Sequence, residues 1–397
     1  MEVCDMEMDL LYKEAKLELL NHIMPFWNKL KDERGGFYGF MDFDLNINKD
    51  SLKGGILNSR IMWFYSNIYL TCKSEEALVY AKHAFEFLKN CCLDKENGGV
   101  YLLMNSDGTP YDDMKHTYNQ AFAIYGLASY YDATKDKESL KIAYELFNII
   151  ETKCVDEYGY TEAFDRKWNL SDNDLLSEDG FHADKTMNAL LHILEAYTEL
   201  YRVDKDERVK EKLRKALLVC KNTVYNSDTH ILGVFFDKKM NSIADIYSYG
   251  HDIEASWLID RALEVLEDDK LTEEISPMTE EIAKMVLNTA YENNSLNNQN
   301  CEGKIDKTRV WWVQAESVVG FLNAFEKTGD EKYLLAALNI WSYIKEYLID
   351  DREGSEWFWD LNFEGKPSSR KPIVEPWKCP YHNGRMCMEV IRRYEKF

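Results

Sequence analysis

Apolar residues recur at three- and four-residue spacing through most of the chain. MDLLYKEAKLELLNHIMPFWNKL, SEEALVYAKHAFEFLKNCCL, KESLKIAYELFNII and DEKYLLAALNIWSYIKEYLI are examples. That period is the mark of amphipathic helices. It predicts about twelve, beginning near residues 8, 57, 74, 115, 137, 184, 206, 250, 271, 307, 330 and 383. Only seven prolines are present, most of them between segments, and no Ser/Gly/Pro-rich linker divides the chain. Residues 1–397 are therefore expected to form a single domain.

A longer period lies on top of the helical one. Glycine beside alternating aromatics recurs in GGFYGF (35–40), GGVYLLM (98–104), YGYTEAF (158–164), LGVFFD (232–237) and EGSEWFW (354–359). Such stretches read as tight turns or short hairpins. One gap of twice the usual spacing falls near residue 295. The unit is then helix, hairpin, helix, repeated six times, and such units bury their apolar faces against neighbours. Six helix pairs that close on themselves make an all-α (α/α)6 barrel with short hairpins between helices; an open solenoid is the competing architecture. The even-numbered segments are the more apolar and aromatic, as an inner ring requires.

Polar residues cluster at the start of these even-numbered segments. The stretches are LNSR (Arg60), KHTYNQ (Tyr118), KTMNALLH (Asn188, His192), YGHDIEASW (His251, Glu254), KTRVWWVQAE (Trp311, Trp312, Glu316) and WKCPYHNGR (Trp377, His382). In a closed barrel the inner helices run parallel, so these groups converge at one end. Converging helix N-termini create a positive potential there. That potential stabilises a developing oxyanion and disfavours protonated histidine.

Composition narrows the partners. Seventy acidic against 48 basic residues give a net charge of −22, which repels nucleic acid and anionic membrane. The nine cysteines are scattered without a C-x-x-C, as expected of reduced thiols rather than disulfides or a zinc site. The acidic start MEVCDMEMDLL lacks the apolar core of a signal peptide, and no apolar run reaches membrane-spanning length. A cytoplasmic protein without membrane association is expected.

Of eight histidines, His22 and His83 sit in odd-numbered helices among core residues, and His230 lies in a turn. His116 borders the rim, and His182 precedes a helix. His192 shares a helix face with Asn188. Glu254, three residues after His251, is placed to orient that ring or to bind a hydroxyl. His382 follows a Cys-Pro turn that aims it. No H-E-x-x-H, G-x-S-x-G, G-x-G-x-x-G or P-loop is present, which argues against metal, serine-nucleophile and nucleotide chemistry. Separated histidines among Trp, Arg and carboxylates point to acid–base work on a neutral polyol, with Trp311, Trp312 and Trp377 as flat faces for sugar rings. Adjacent tryptophans on a helix diverge, so one of the 311–312 pair suffices to line a pocket.

KTRVWWVQAE, SYGHDIEASW, DKTMNALLHILEAYTELY and WKCPYHNGRMCMEVI resemble the cellobiose 2-epimerases of the N-acylglucosamine 2-epimerase superfamily. The similarity runs from HIMPFWNKLKDERGGFYGF to the last helix. The resemblance implies an (α/α)6 barrel and cofactor-free, reversible epimerisation at C2 of the reducing-end glucose of a β-1,4-linked disaccharide. Cellobiose would become glucosyl-mannose, and lactose would become epilactose. It implies His251 and His382 as the acid–base pair and His192 as the ring-opening histidine. Arg60, Tyr118, Asn188, Glu254, Trp311, Glu316 and Trp377 match pocket positions, Arg60 being placed to stabilise charge on O1. A neutral oligosaccharide is the expected partner, bound by a monomer or weak homodimer. The rivals are an aldose–ketose isomerase on the same fold, a glycosidase using Glu254 and Glu316, and a ring that binds without turnover.

Overall fold

The computed structural model of the chain describes residues 2–171 and 182–396. Twelve helices are present among these residues. The outer ones are α1 (Glu2–Glu18, continuing through Leu19–Ile23 and Met24–Asn28), α3 (Glu75–Phe87), α5 (Lys137–Ile149), α7 (Glu207–Val219), α9 (Asp269–Thr289) and α11 (Glu331–Tyr343). The inner ones are α2 (Gly55–Cys72), α4 (Thr117–Thr134), α6 (Met187–Asp204), α8 (Tyr249–Leu266), α10 (Trp311–Thr328) and α12 (His382–Tyr394). Each inner helix packs on the next, and α12 packs on both α10 and α2, so the ring closes. The chain is an (α/α)6 barrel, and the open solenoid is excluded.

The repeat is regular down to the turn. Every inner helix from α2 to α10 has 18 residues. Each ends on a left-handed residue: Lys73, Lys135, Lys205, Glu267 and Gly329. That conformation ties off the last orphan carbonyls, and four of the five residues pay its strain without glycine. Outer helices α5, α7, α9 and α11 begin on Asp136, Asp206, Asp268 and Asp330, whose carboxylates accept backbone N–H groups of the first turn. Helices α3, α5, α7 and α11 have 13 residues and then widen into a five-residue π-turn.

Each Gly-aromatic stretch closes a short local turn or hairpin, as expected: Lys31 bridges Phe37, Leu93 bridges Val100, Val155 bridges Tyr160, Tyr225 pairs with Leu232 and Ile349 bridges Trp357. Most of these stretches also supply a strand that pairs antiparallel with the entry to an inner helix of the preceding repeat. Leu103–Met104 pairs with Lys53–Gly54, Ala163–Phe164 with Lys115–His116, Phe235–Phe236 with Lys185–Thr186, and Asp360–Leu361 with Arg309–Val310. Gln299–Cys301 pairs with Ile246–Ser248, so a hairpin without the motif fills the gap near residue 295. Met41 bridges Val374 and joins the first repeat to the last. The rim is thus laced from repeat to repeat. Buried lysines reinforce it: Lys53 and Lys115 reach Asp32 and Asp94 at 2.7 and 3.1 Å, and Lys185 reaches Asp156.

The fourth residue of an inner helix anchors the same lacing. Gln120 and Gln314 each accept a backbone N–H and return a hydrogen bond to the carbonyl of the same residue, Val100 and Leu296. Asn58 accepts from Phe37 N–H. In α8 the position is Asp252, which accepts from Leu232 N–H at 2.9 Å while its other oxygen has no partner. Burial pushes this carboxyl up to about 8. Protonated, Asp252 presents one donor and one acceptor, as the amides do.

Candidate active site

Because the repeat is regular, position along each inner helix sets depth in the barrel. The sixth residues of α2, α4, α6, α8 and α10 are Arg60, Phe122, His192, Glu254 and Glu316. They make one layer just below the helix N-termini. The α12 helix starts deeper in the sequence of its own turn and adds His382 and Arg385. Above the layer lie Tyr118, Asn188, His251 and Trp312 from the first turns.

The structure brings the expected residues together. His251 and His382 come from helices on either side of α10, and both touch the Trp312 indole, with ring centroids 4.7 and 5.4 Å away. Gly250 makes room for this, since a Cβ there would lie 2.6 Å from the indole. Trp311 packs on Trp359 at 4.8 Å and meets His382 edge-on at 6.3 Å, so both tryptophans of the pair contribute to the chamber wall. His192 lies against Phe122 at 4.4 Å and Tyr118 at 5.2 Å. Arg60 stacks between Phe122 and Tyr381 and donates to Tyr118 Oη at 2.6 Å and to the Trp377 carbonyl at 3.0 Å. Asn188 and the Trp377 side chain are half-buried.

Each imidazole has its Nδ1 tied back. His192 meets Glu195 at 3.0 Å, His382 meets Glu316 at 2.7 Å, and His251 meets Ser248 Oγ at 2.7 Å. Of the two roles open to Glu254, it does not take that of orienting His251: its carboxylate turns to Arg385, and the hydroxyl of Ser248, at the end of the preceding strand, reaches the ring. The i,i+3 spacing does operate one repeat earlier, between His192 and Glu195.

Arg385 is the residue that sequence reasoning passed over. Its guanidinium, fully buried, spans the barrel from α12 and pairs with Glu195, Glu254 and Glu316, the last at 2.7 Å. Tyr381 also donates to Glu195. His382, Glu254 and Glu316 have the spacing of a cation site, and the Arg385 guanidinium is already paired with both carboxylates. Three carboxylates thus share one guanidinium. Burial lifts Glu195 and Glu316 above the usual range while Arg385 pulls them back. Burial also depresses all three imidazoles, and Glu254 is the charge that opposes this at each.

Arg60 Nε, Glu254 Oε2 and Trp311 Nε1 are three of the buried polar atoms at this end that have no partner. Buried groups of this kind are normally satisfied, and a polyhydroxylated guest supplies hydroxyls for all three. His22, His83 and His230 bond within the scaffold. His22 bonds Glu18 and the Ser355 carbonyl, His83 faces the carbonyls of Asp32 and Gly36, and His230 meets Tyr225. His116 is buried beside Glu162 at 3.9 Å and lies in the rim strand before α4.

The N-acylglucosamine 2-epimerase (GlcNAc 2-epimerase) family model matches residues 35–383. A cellobiose 2-epimerase of Ruminococcus albus is 55% identical over 97% of this chain and 99% of its own length. The structure of a cellobiose 2-epimerase from Bacillus thermoamylovorans superposes with a TM-score of 0.93 at 46% identity, covering 97% of this chain and 100% of that one. A D-mannose isomerase structure shares the fold at 17% identity and a TM-score of 0.83, covering 97% of each chain. The closed helical ring, the tied-back histidines beneath its rim and these matches agree: the chain belongs to the N-acylglucosamine 2-epimerase family and is an isomerase.

Proposed function

We propose that the protein epimerises C2 of the reducing-end glucose of β-1,4-linked disaccharides, taking cellobiose to glucosyl-mannose and lactose to epilactose, with His251 and His382 as the two proton-transfer groups. The observation that carries this reading is the arrangement of those two rings on one indole, each with Nδ1 held and Nε2 left for the substrate. The C2 hydrogen of an aldose is removable only from the open-chain aldehyde. His192 moves the proton from O1 toward O5 as the ring opens. One imidazole then takes the C2 proton, leaving a cis-enediolate whose charge on O1 faces Arg60 and the helix N-termini. The other imidazole, entering as imidazolium with Glu254 as counter-charge, returns a proton to the opposite face. Reversal exchanges the two roles. Each general acid or base contributes roughly 10²–10⁴-fold.

Trp312 beneath the two rings, with Trp311, Trp359 and Trp377 around the mouth, supplies flat apolar faces for the sugars. Tyr118, Asn188, Glu254 and Glu316 bind hydroxyls or hold the groups that do. Incubation of cellobiose with the enzyme tests the reading: the expected product is the manno epimer. Release of free glucose would point to glycoside cleavage, and a ketose as main product would point to reprotonation at C1; either overturns it.

A further inference from the structure

Of the three active-site imidazoles, His192 and His382 are held by the carboxylates of Glu195 and Glu316, and His251 by the Ser248 hydroxyl. The Ser248 hydroxyl at His251 can donate or accept, so that bond leaves the tautomer of His251 open. At His192 the partner is a carboxylate whose other oxygen is already taken. Glu195 Oε1 accepts from the Tyr381 hydroxyl and the Arg385 guanidinium, and these donations oppose the rise that burial imposes on this carboxyl and favour its ionised form. Oε2 is left facing His192 Nδ1 at 3.0 Å. An ionised carboxylate only accepts, so Nδ1 must carry the ring hydrogen and Nε2 must offer its lone pair. Phe122 and Tyr118 pack on the ring and fix its plane. Glu195 itself is buried, one turn below His192 on the same helix face.

We propose that Glu195 is a positioning residue that locks His192 as the Nδ1–H tautomer and so presents its Nε2 lone pair to the O1 proton when the sugar opens and closes. The proposal rests on the ring-opening role read for His192 above. The step balances within the site. The proton on O1 passes to His192 Nε2, the O1 electron pair forms C1=O1, the C1–O5 bond breaks with its pair going to O5, and the proton is delivered to O5. Nothing in that sequence touches C2. A sugar opened this way can reclose to either anomer, so His192 in its locked form accelerates anomer exchange even when C2 chemistry is blocked.

Two measurements test this. In ¹⁵N-histidine-labelled wild-type enzyme, with the His192 signals assigned by a His192→Gln spectrum, the expected pattern is a protonated Nδ1 and an unprotonated Nε2 at neutral pH. The opposite tautomer overturns the proposal without any variant having to fold. In the second, freshly dissolved α-lactose is followed in D₂O for both anomer exchange and formation of the deuterated C2 epimer. Wild type speeds both. His251→Ala and His382→Ala keep anomer exchange and lose formation of the deuterated C2 epimer. Glu195→Gln, whose amide can donate to Nδ1 and reverse the tautomer, loses roughly 10²-fold or more of both with KM little changed, and Glu195→Asp recovers part of each. If wild type speeds anomer exchange and folded Glu195→Gln matches it, the role of Glu195 is refuted while that of His192 stands. If wild type does not speed anomer exchange, the reading of His192 fails and takes the proposal with it.

Discussion

The two ends of the barrel interior use the same residue types to opposite effect. At the far end, around a cavity of about 250 Å³, Asp132, Glu199 and Glu389 meet Arg202, Arg261 and Arg392. Guanidiniums match these carboxylates one for one, and they hold Glu389 down to about 2 and depress Glu199 as well. At the N-terminal end one guanidinium, Arg385, is divided among Glu195, Glu254 and Glu316, and burial lifts Glu195 and Glu316. Burial of the glutamates is comparable; the ratio of cations to carboxylates differs. The far end is a settled ion-pair network that closes the barrel. The near end is short of positive charge, and that deficit favours an imidazolium where desolvation opposes it.

The contrast is broken most completely by removing the groups that use it. His251→Ala or His382→Ala is expected to lower kcat for cellobiose by 10²-fold or more, on the order of a lost general acid or base, with the melting temperature nearly unchanged. A variant keeping more than about a tenth of wild-type turnover would contradict its role. Next, Arg385→Met leaves three buried carboxylates without their cation. Loss of one partner of a buried ion pair costs about 3–5 kcal/mol, so both stability and activity should fall. At the far end, Arg261→Met should lower stability while the folded fraction keeps its turnover per active site, read by titrating activity against folded protein. Equal loss of turnover in both variants would erase the distinction between the two ends.

A pH experiment sharpens the picture outside the site. Asp252 titrates at about 8 in the folded protein, above the ordinary carboxyl value. Its neutral form is the folded-state form. Its stabilising effect is complete below the unfolded value, falls as pH rises toward 8, and then levels off, at about 1.4 kcal/mol per unit of pKa difference. Asp252→Asn restores the amide found in three other repeats. Its advantage over wild type should be small near pH 4 and grow to 1 kcal/mol or more, in order of magnitude, by pH 8. Denaturant midpoints at the two pH values measure it, and a constant difference would contradict it. The smallest effect expected is that of Trp377→Ala. Loss of one stacking face is worth about 1 kcal/mol and should raise KM more than it lowers kcat. An unchanged KM would remove Trp377 from the pocket.

Much of this architecture was legible in the chain. The helix starts lie within a few residues of the periodic segments, apart from the N-terminal helix, because apolar spacing reports which face is buried. The recurrence of polar residues at inner-helix starts pointed to the groups that the barrel brings together, since equal helix lengths turn sequence position into depth. Other features left little trace. The inner helices end on Lys or Glu in the left-handed conformation, where sequence reasoning looks for glycine. Two-residue strands that pair with the neighbouring repeat carry too short a pattern to show their partner. Arg385 sits inside a quoted motif, yet its three carboxylates lie 69, 131 and 190 residues away, and only the closed ring joins them. Glu195 was within reach: it stands to His192 as Glu254 stands to His251. The same spacing is occupied in the first pair and not in the second, where Ser248 takes the place of the carboxylate.

The central claim is that hydrogen leaves C2 to one imidazole and returns from another. The most direct measurement is NMR of cellobiose turned over in D₂O, stopped within the first few per cent of conversion. The account predicts manno product carrying deuterium at essentially every C2, with the unreacted cellobiose still protonated there. Product that retains the original C2 hydrogen would mean that a single group carries the same proton from face to face, and would contradict it.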